Sequence, residues 1–237
     1  DHRESRGLGD VYKRQTLTGT NAYTIVIPPD HGHGRLASDL ITIKAATSVS
    51  LDGSLISTVI GSYDEVTDVY DSGVTALSSE DITITDELTV TQANILDDLT
   101  TGVITATIGS ARVSELLDES TPLQDANENN AYTISISAED AAVSASDLNA
   151  INAITSIAVN LVNVTSISAS DFDDLTTLNT NRAEFSNITG ITAITVTDNG
   201  GGEESVDYGT LETIIDNYQT NFNSDVAFSL QSEDTIV

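Results

Sequence analysis

The chain has 237 residues, of which 39% are hydrophobic, so it can form a core for one large domain or two smaller ones. Its 37 acidic and 8 basic residues give a formal net charge of −29, which argues against nucleic acid as a partner because such a chain repels phosphate backbones. Cysteine and methionine are absent, which excludes disulfides and cysteine nucleophiles and indicates a fragment. No apolar run approaches the roughly 18 residues of a membrane span, so we expect no membrane insertion.

The first fifteen residues differ in composition from the rest of the chain. They contain four of the eight basic residues. The run SRGLGDVYKRQ, which ends at Gln15, resembles translated adapter sequence at the ends of reading frames assembled from environmental DNA. We therefore expect residues 1–15 to be a non-native leader.

A long internal repeat follows the leader. NAYTI occurs at Asn21–Ile25 and again at Asn130–Ile134, and the run that begins at Ser57 parallels the run that begins at Thr165. An offset of about 109 residues persists along the chain. The repeat predicts a first long repeat over residues 16–129, with four strand-helix units, and a second, truncated one over residues 130–237.

Each unit contains a segment of alternating apolar residues followed by a segment with helical spacing. The alternating segments, in chain order, are Ile82–Ile84, Ile104–Ile108, Tyr132–Ile136, Ile157–Leu161, Ile194–Val196 and Val226–Leu230. The helical patterns are Leu40–Ile43, Tyr63–Tyr70, Leu96–Leu99, Val113–Leu116, Leu148–Ile154, Phe172–Leu178 and Tyr208–Tyr218, the last through Leu211 and Ile215. We predict an inward row of Tyr132, Ile134, Ile136, Ile157, Val159, Ile194 and Val196, closed by Leu148, Ile151 and Leu175 from the helices.

Alternating strands and short helices favour parallel strands joined by helical crossovers. No single unit has enough apolar surface to fold alone, so neighbouring units are expected to bury each other's faces. The predicted fold is therefore α/β, a solenoid of about eight strand-plus-short-helix units with a parallel β-sheet. A closed α/β domain is the alternative.

The succession of NAYTI strands, ASDLNAINAI helices and TTGVITATI strands resembles repeat arrays in very long secreted or surface proteins of marine bacteria, including cyanobacteria. The resemblance covers residues 16–237. It implies an adhesin-like or stalk role at the cell surface, often beside calcium-binding repeats, and it implies no catalytic residues.

Three loops carry candidate metal ligands. His31 and His33 are two apart in a glycine-rich loop, a spacing that can place two imidazoles on one metal ion, with Asp30 as the nearest third ligand. The spacing of Asp125, Asn127 and Asn129 matches the first three ligands of a calcium loop, but the sixth-position glycine and twelfth-position glutamate are missing. The carboxylates of a third, glycine-rich loop also suit a hard cation: Asp198, Glu203 and Glu204. Ordinary solvated loops are the alternative for all three, so we predict no cofactor and keep calcium as the one candidate.

Catalysis finds little support in the sequence. The adjacent carboxylates Asp97-Asp98 and Asp173-Asp174 lie at equivalent places in two helices, where we expect a solvated face rather than an acid–base pair. After the leader the chain has only four basic residues with which a lyase could stabilise a carbanion: Arg35, Lys44, Arg112 and Arg182. We therefore predict that the chain is not an enzyme.

These observations favour a non-catalytic structural or adhesive repeat segment of a secreted or cell-surface bacterial protein. Its expected partners are neighbouring repeats of the same long chain, together with surface glycans or other cells, and its expected location is extracellular or on the cell surface. A phage or virion fibre segment is the alternative, which would differ by forming trimers. A polysaccharide-acting enzyme built on a solenoid is the third hypothesis.

Overall fold

A computed structural model describes residues 21–109, 111–125, 130–170, 172–196, 205–206, 208–230 and 235–236. The leader, residues 1–15, lies outside these ranges. The fold is α/β, with parallel strands in several sheets and seven α-helices within the described residues. The strands are β1 Arg35–Leu36, β2 Leu51–Asp52, β3 Thr58–Gly61, β4 Val74–Thr75, β5 Asp81–Leu88, β6 Ile104–Ile108, β7 Ala131–Ile134, β8 Ala142–Ser144, β9 Val159–Asn160, β10 Ser166–Ala169, β11 Phe185–Ser186, β12 Ala193–Val196, β13 Ser205–Val206, β14 Ala227–Leu230 and β15 Thr235–Ile236. The helices are α1 Ala37–Ala45, α2 Tyr63–Asp71, α3 Val90–Asp97, α4 Val113–Leu116, α5 Ala145–Asn152, α6 Phe172–Thr180 and α7 Tyr208–Asn221.

The strands of each larger sheet pair in the order in which they occur along the chain. One sheet has five strands in the order β1-β3-β5-β6-β7, and a second has four in the order β8-β10-β12-β14. Shorter two-stranded sheets are formed by β2 with β4, by β9 with β11 and by β13 with β15. All of these pairings are parallel. A segment therefore pairs with its neighbours along the chain and not with distant strands.

Hydroxyl groups join successive units at their turns. In each case a threonine side chain donates a hydrogen bond to a backbone carbonyl between 23 and 27 residues earlier. The donor and acceptor pairs are Thr47 with Tyr23, Thr75 with Leu51, Thr155 with Tyr132, Thr165 with Ala141, and Thr192 with Thr165. These hydrogen bonds add to the backbone pairing between successive units, since the carbonyls of Ala141 and Thr165 also accept backbone N–H groups from the following unit.

The core is built from the inward side chains of the parallel strands and the apolar faces of the helices. Nine of the ten residues predicted for the inward row and the helical closure are at most 4% exposed. Ile157 is the exception, with 41% exposure, so the prediction for this residue was wrong. Its N–H donates to Thr155 Oγ1 in a turn, and β9 begins only at Val159. In α7 the buried isoleucine is Ile214, whereas Ile215 is only half-buried.

Side-chain caps fix where several helices begin. Ser62 and Thr89 form reciprocal capping boxes with Glu65 and Gln92, which satisfies N–H groups of the first turn of α2 and α3. Ser144 Oγ accepts from the N–H of Asp147 at the start of α5, in a Ser-x-x-Asp sequence that is typical of helix caps. A second Ser-x-x-Asp sequence begins at Ser168, but this serine lies inside β10 and does not cap a helix.

Candidate functional site

The loop that contains His31 and His33 is fixed by the residue that precedes it, Asp30. His31 has a left-handed backbone with φ of 55°, and glycines at positions 32 and 34 also have positive φ. Both imidazoles lie on exposed residues. The N–H of His33 donates to the backbone carbonyl of Asp30 at 3.1 Å, which closes a tight turn. The loop therefore presents two histidines at the surface.

Asp30 is buried and binds protein groups with both of its oxygens. Oδ1 accepts from the Gly32 N–H at 3.1 Å, and Oδ2 accepts from the N–H groups of Ser57 and Thr58 at 2.9 and 3.2 Å. The Ser57 hydroxyl lies within 2.8 Å of both oxygens. Removal from water would by itself raise the pKa of Asp30, but these hydrogen bonds outweigh that effect and lower the pKa to about 2. Asp30 thus joins the histidine loop to the start of β3.

The predicted calcium ligands are only partly covered by the described residues. Asp125 Oδ1 accepts from the Asn130 N–H at 3.1 Å, at the entry to β7. Asn127 and Asn129 lie outside the described residues, as do Asp198, Glu203 and Glu204. Among the residues that the structure describes, no group of three or more His, Asp or Glu side chains is placed to hold a metal ion. A calcium or histidine-bound metal site therefore stays a prediction.

The most tightly built polar cluster lies between β6 and β7, where the sequence offered no motif. Asn130 is fully buried and its side-chain amide donates to Asp97 Oδ1 at 2.8 Å and to the Tyr132 hydroxyl at 3.1 Å. Asn130 Oδ1 accepts from the N–H of Ile104 at 2.8 Å. Burial raises the pKa of Tyr132, and the negative charges of Asp97 and Asp125 raise it further, so the phenol stays protonated. The cluster joins the end of one long repeat to the start of the next.

Asp97 corrects one sequence-based expectation. The adjacent pair Asp97-Asp98 was expected on a solvated helix face, and Asp98 is indeed exposed, but Asp97 is only 5% exposed. Its carboxylate is tolerated in the interior because it accepts a hydrogen bond from Asn130.

A third buried carboxylate, Glu80, stabilises the turn before β5. Glu80 is 4% exposed, and its Oε2 accepts from the N–H groups of Ser78 and Ser79 at 2.8 and 3.1 Å. The hydroxyl of Tyr70 donates to Oε1. Burial and the neighbouring carboxylate raise the pKa of Tyr70, so this donor stays protonated. Glu80 therefore acts as a local cap for an irregular turn.

The four basic residues beyond the leader all bind groups of the protein itself. Arg35 donates to the carbonyls of Pro28 and Pro29, and Lys44 Nζ donates to the carbonyl of Thr47 at 3.2 Å. Arg112 pairs with Glu139, and Arg182 donates to a helix carbonyl at 3.4 Å. None of these contacts places a cation beside a cluster of carboxylates in a cleft.

Two clefts are open between neighbouring helices. One of about 330 Å³ lies between α6 and α7 and is lined by Leu175, Thr176, Asn179, Thr213, Asn217 and Tyr218. The buried Tyr218 hydroxyl donates to the Leu175 carbonyl at 2.8 Å, so it is already used by the fold. The other cleft, of about 370 Å³, lies beside α4 and contains Asp140, whose Oδ2 accepts from the first N–H of that helix at 2.8 Å. The Asp140 carboxylate thus serves the start of a helix, whereas the Tyr218 hydroxyl bonds a carbonyl within α6.

Comparison of the chain with protein-family models, with curated proteins and with solved structures finds no match. A helix with the length and apolar character needed to cross a membrane is not found among the described residues.

Sequence patterns located the strands and helices better than the polar groups that join them. Asp30, Glu80 and Asn130 were not identified as buried, because each stands next to turn residues that normally lie at the surface. The NAYTI segment carries no signal for the burial of Asn130, since Asn21, the same residue of the first copy, is exposed.

Proposed function

We propose that this chain is a non-catalytic repeat segment that acts as a spacer in a secreted or cell-surface bacterial protein. Its units stack as a solenoid, and each unit is stabilised by the units directly before and after it. The observation that carries the proposal is the strand order, because the strands of both larger sheets pair in chain order and in parallel.

The threonine links support the same architecture. Five of these links connect a unit with the preceding one at spacings of 23 to 27 residues. Stability that depends on intrinsic unit stability and nearest-neighbour contacts is the hallmark of stacked repeats. A segment of this kind adds length to a protein without requiring a catalytic or ligand-binding site.

The charge supports an extracellular setting. A formal net charge of −29 keeps neighbouring segments apart and soluble. The repulsion among its carboxylates destabilises the fold least in a salty medium, because salt screens it. The absence of cysteine means that the fold needs no disulfide in an oxidising environment.

Truncation tests the stacked architecture. We expect a variant that ends at Gly190, and so lacks the units containing β12 and β14, to retain the five-stranded sheet, because in a stack only the adjacent units lose contacts. Amide hydrogen exchange in β5 and β6 should stay within about twofold of the full chain, since these strands are remote from the cut. Loss of protection in β5 and β6 would contradict the stack and favour a closed domain.

The role itself is tested on the intact chain. Size-exclusion chromatography with light scattering should give the mass of one chain, whereas a trimer would favour the fibre alternative.

Incubation with a panel of acidic and neutral polysaccharides should release no shorter products, and any cleavage would overturn a purely structural role.

A further inference from the structure

The segment 21–27 occupies the same place in the first long repeat as the segment 130–136 occupies in the second. Both begin with the same five residues, NAYTI. On one side they make the same contact. Thr47 Oγ1 donates to the Tyr23 carbonyl at 2.7 Å, and Thr155 Oγ1 donates to the Tyr132 carbonyl at the same 2.7 Å. Each segment is therefore joined to the unit that follows it by the same hydrogen bond.

The opposite side of the two segments differs sharply. Tyr132 is fully buried, whereas Tyr23 is 41% exposed. Asn130 is likewise fully buried, and Asn21 is exposed. Identical residues in equivalent backbone positions thus differ in what lies against them.

In the second long repeat, β6 covers this side. Ala106 of β6 pairs with Tyr132 in parallel register, and Ile108 pairs with Ile134. Ala106 on β6 and Tyr132 on β7 are both buried, so each side chain lies on the inward face of its own strand. Asp97 and the N–H of Ile104 complete the junction through Asn130.

The uncovered face in the first long repeat, formed by residues 21–27 and the start of α1, has the properties of a docking surface. Tyr23, Val26 and Leu36 are 41%, 75% and 51% exposed. A mainly apolar cleft of about 140 Å³ lies between residues 25–28 and α1, lined by Ile25, Val26, Leu40 and Ile43 together with the charged Arg35 and Asp39. Grouped apolar side chains at one surface indicate an interaction site.

We propose that this face receives a further copy of the β5–α3–β6 unit, the segment Asp81–Ile108, in the arrangement that β6 and β7 have inside this molecule. The inference rests on the proposed function, since it treats the chain as a stack of repeats. The incoming strand pairs in parallel with residues 22–25, and its alanine lies opposite Tyr23. The stack is thereby extended by one unit.

The test adds that unit to the full chain. A copy of residues 81–129 is inserted between Thr20 and Asn21, and amide hydrogen exchange is followed by mass spectrometry in the peptide 21–27, which occurs once in the product. We expect exchange of the protected amides in this peptide to slow at least tenfold relative to the unmodified chain. The peptide 130–136, read from the same sample, shows that the original fold is intact.

A matched insertion that carries Ala106→Glu in the added copy only serves as the control. Its carboxylate would lie opposite Tyr23 in a buried row, so exchange in peptide 21–27 should equal that of the unmodified chain.

Equal exchange in the unmodified, extended and control proteins would overturn the proposal. So would concentration-dependent self-association of the unmodified chain with protection of peptide 21–27, because the occupant would then be the chain's own last strands. The truncation at Gly190 does not involve this face, so the two proposals can fail separately.

Discussion

At the scale of single residues, buried carboxylates stabilise irregular parts of this fold. Asp30 and Glu80 each accept backbone N–H groups in an irregular turn, and Asp97 accepts a side-chain amide. A buried carboxylate is costly unless its oxygens are hydrogen-bonded, so these residues tie the turn geometry to the packing beneath it. The chain thus places a few of its 37 acidic residues where they support the fold.

Asp30 gives a pH-dependent prediction. Its pKa of about 2 lies below the value of about 3.9 in an unfolded chain, so its stabilising effect is present above that value and is lost as the pH falls towards 2. We expect Asp30→Asn to lower the free energy of unfolding by about 2 kcal/mol at pH 6.

The measurement is urea denaturation of both proteins between pH 2 and pH 6. The difference between them should shrink below pH 4 and be smallest near pH 2. A difference that is constant over this range would mean that the Asp30 charge contributes nothing to stability.

At the scale of elements, hydroxyl links between units join strands too short to hold the sheet together by themselves. Several strands contain only two residues, such as β2 and β9. Threonine hydroxyls add hydrogen bonds to the preceding unit, for example from Thr75 to the carbonyl of Leu51 in β2 and from Thr155 to the carbonyl of Tyr132. The turns thus contribute to the pairing of the units.

Removal of one such hydroxyl should destabilise the chain measurably. Thr155→Val keeps the shape of the side chain but leaves the Tyr132 carbonyl without this donor, so we expect the free energy of unfolding to fall by about 1 kcal/mol. Thr133→Val on the exposed face of β7 is the control and should change it by less than about 0.5 kcal/mol. Equal effects of the two substitutions in chemical denaturation would show that the link is energetically neutral.

The elements show which parts of this fold are encoded locally. Alternation of apolar residues was enough to identify the inward positions of β5, β6 and β7, because a strand with one buried face requires that period. It failed at Ile157, whose place in a turn depends on a hydrogen bond from its N–H to Thr155. The buried role of Asp97 also could not be predicted, because it depends on Asn130, which lies 33 residues later in the chain.

At the scale of the whole molecule, the net charge of −29 opposes folding at low ionic strength, because the carboxylates repel one another. Sodium chloride should therefore raise the melting temperature until screening is complete at about 0.5 M. Divalent cations would add a further general effect even without a binding site.

A thermal melt at about 0.5 M sodium chloride, titrated with calcium or with magnesium, separates general screening from a specific site. We expect the two ions to have equal, small effects. A saturable rise with calcium alone, abolished by Asp125→Ala or by Asp198→Ala, would instead establish a calcium site in one of the predicted loops.

The chain-ordered strand pairing also determines how this molecule responds to tension. In the five-stranded sheet, β1 and β7 are the two edges, so a load pulling them apart acts along the interstrand hydrogen bonds. Those bonds then open one strand at a time and not together, since no pair is loaded in shear. Such a segment would lengthen in small steps under modest force and shorten again when the load is released.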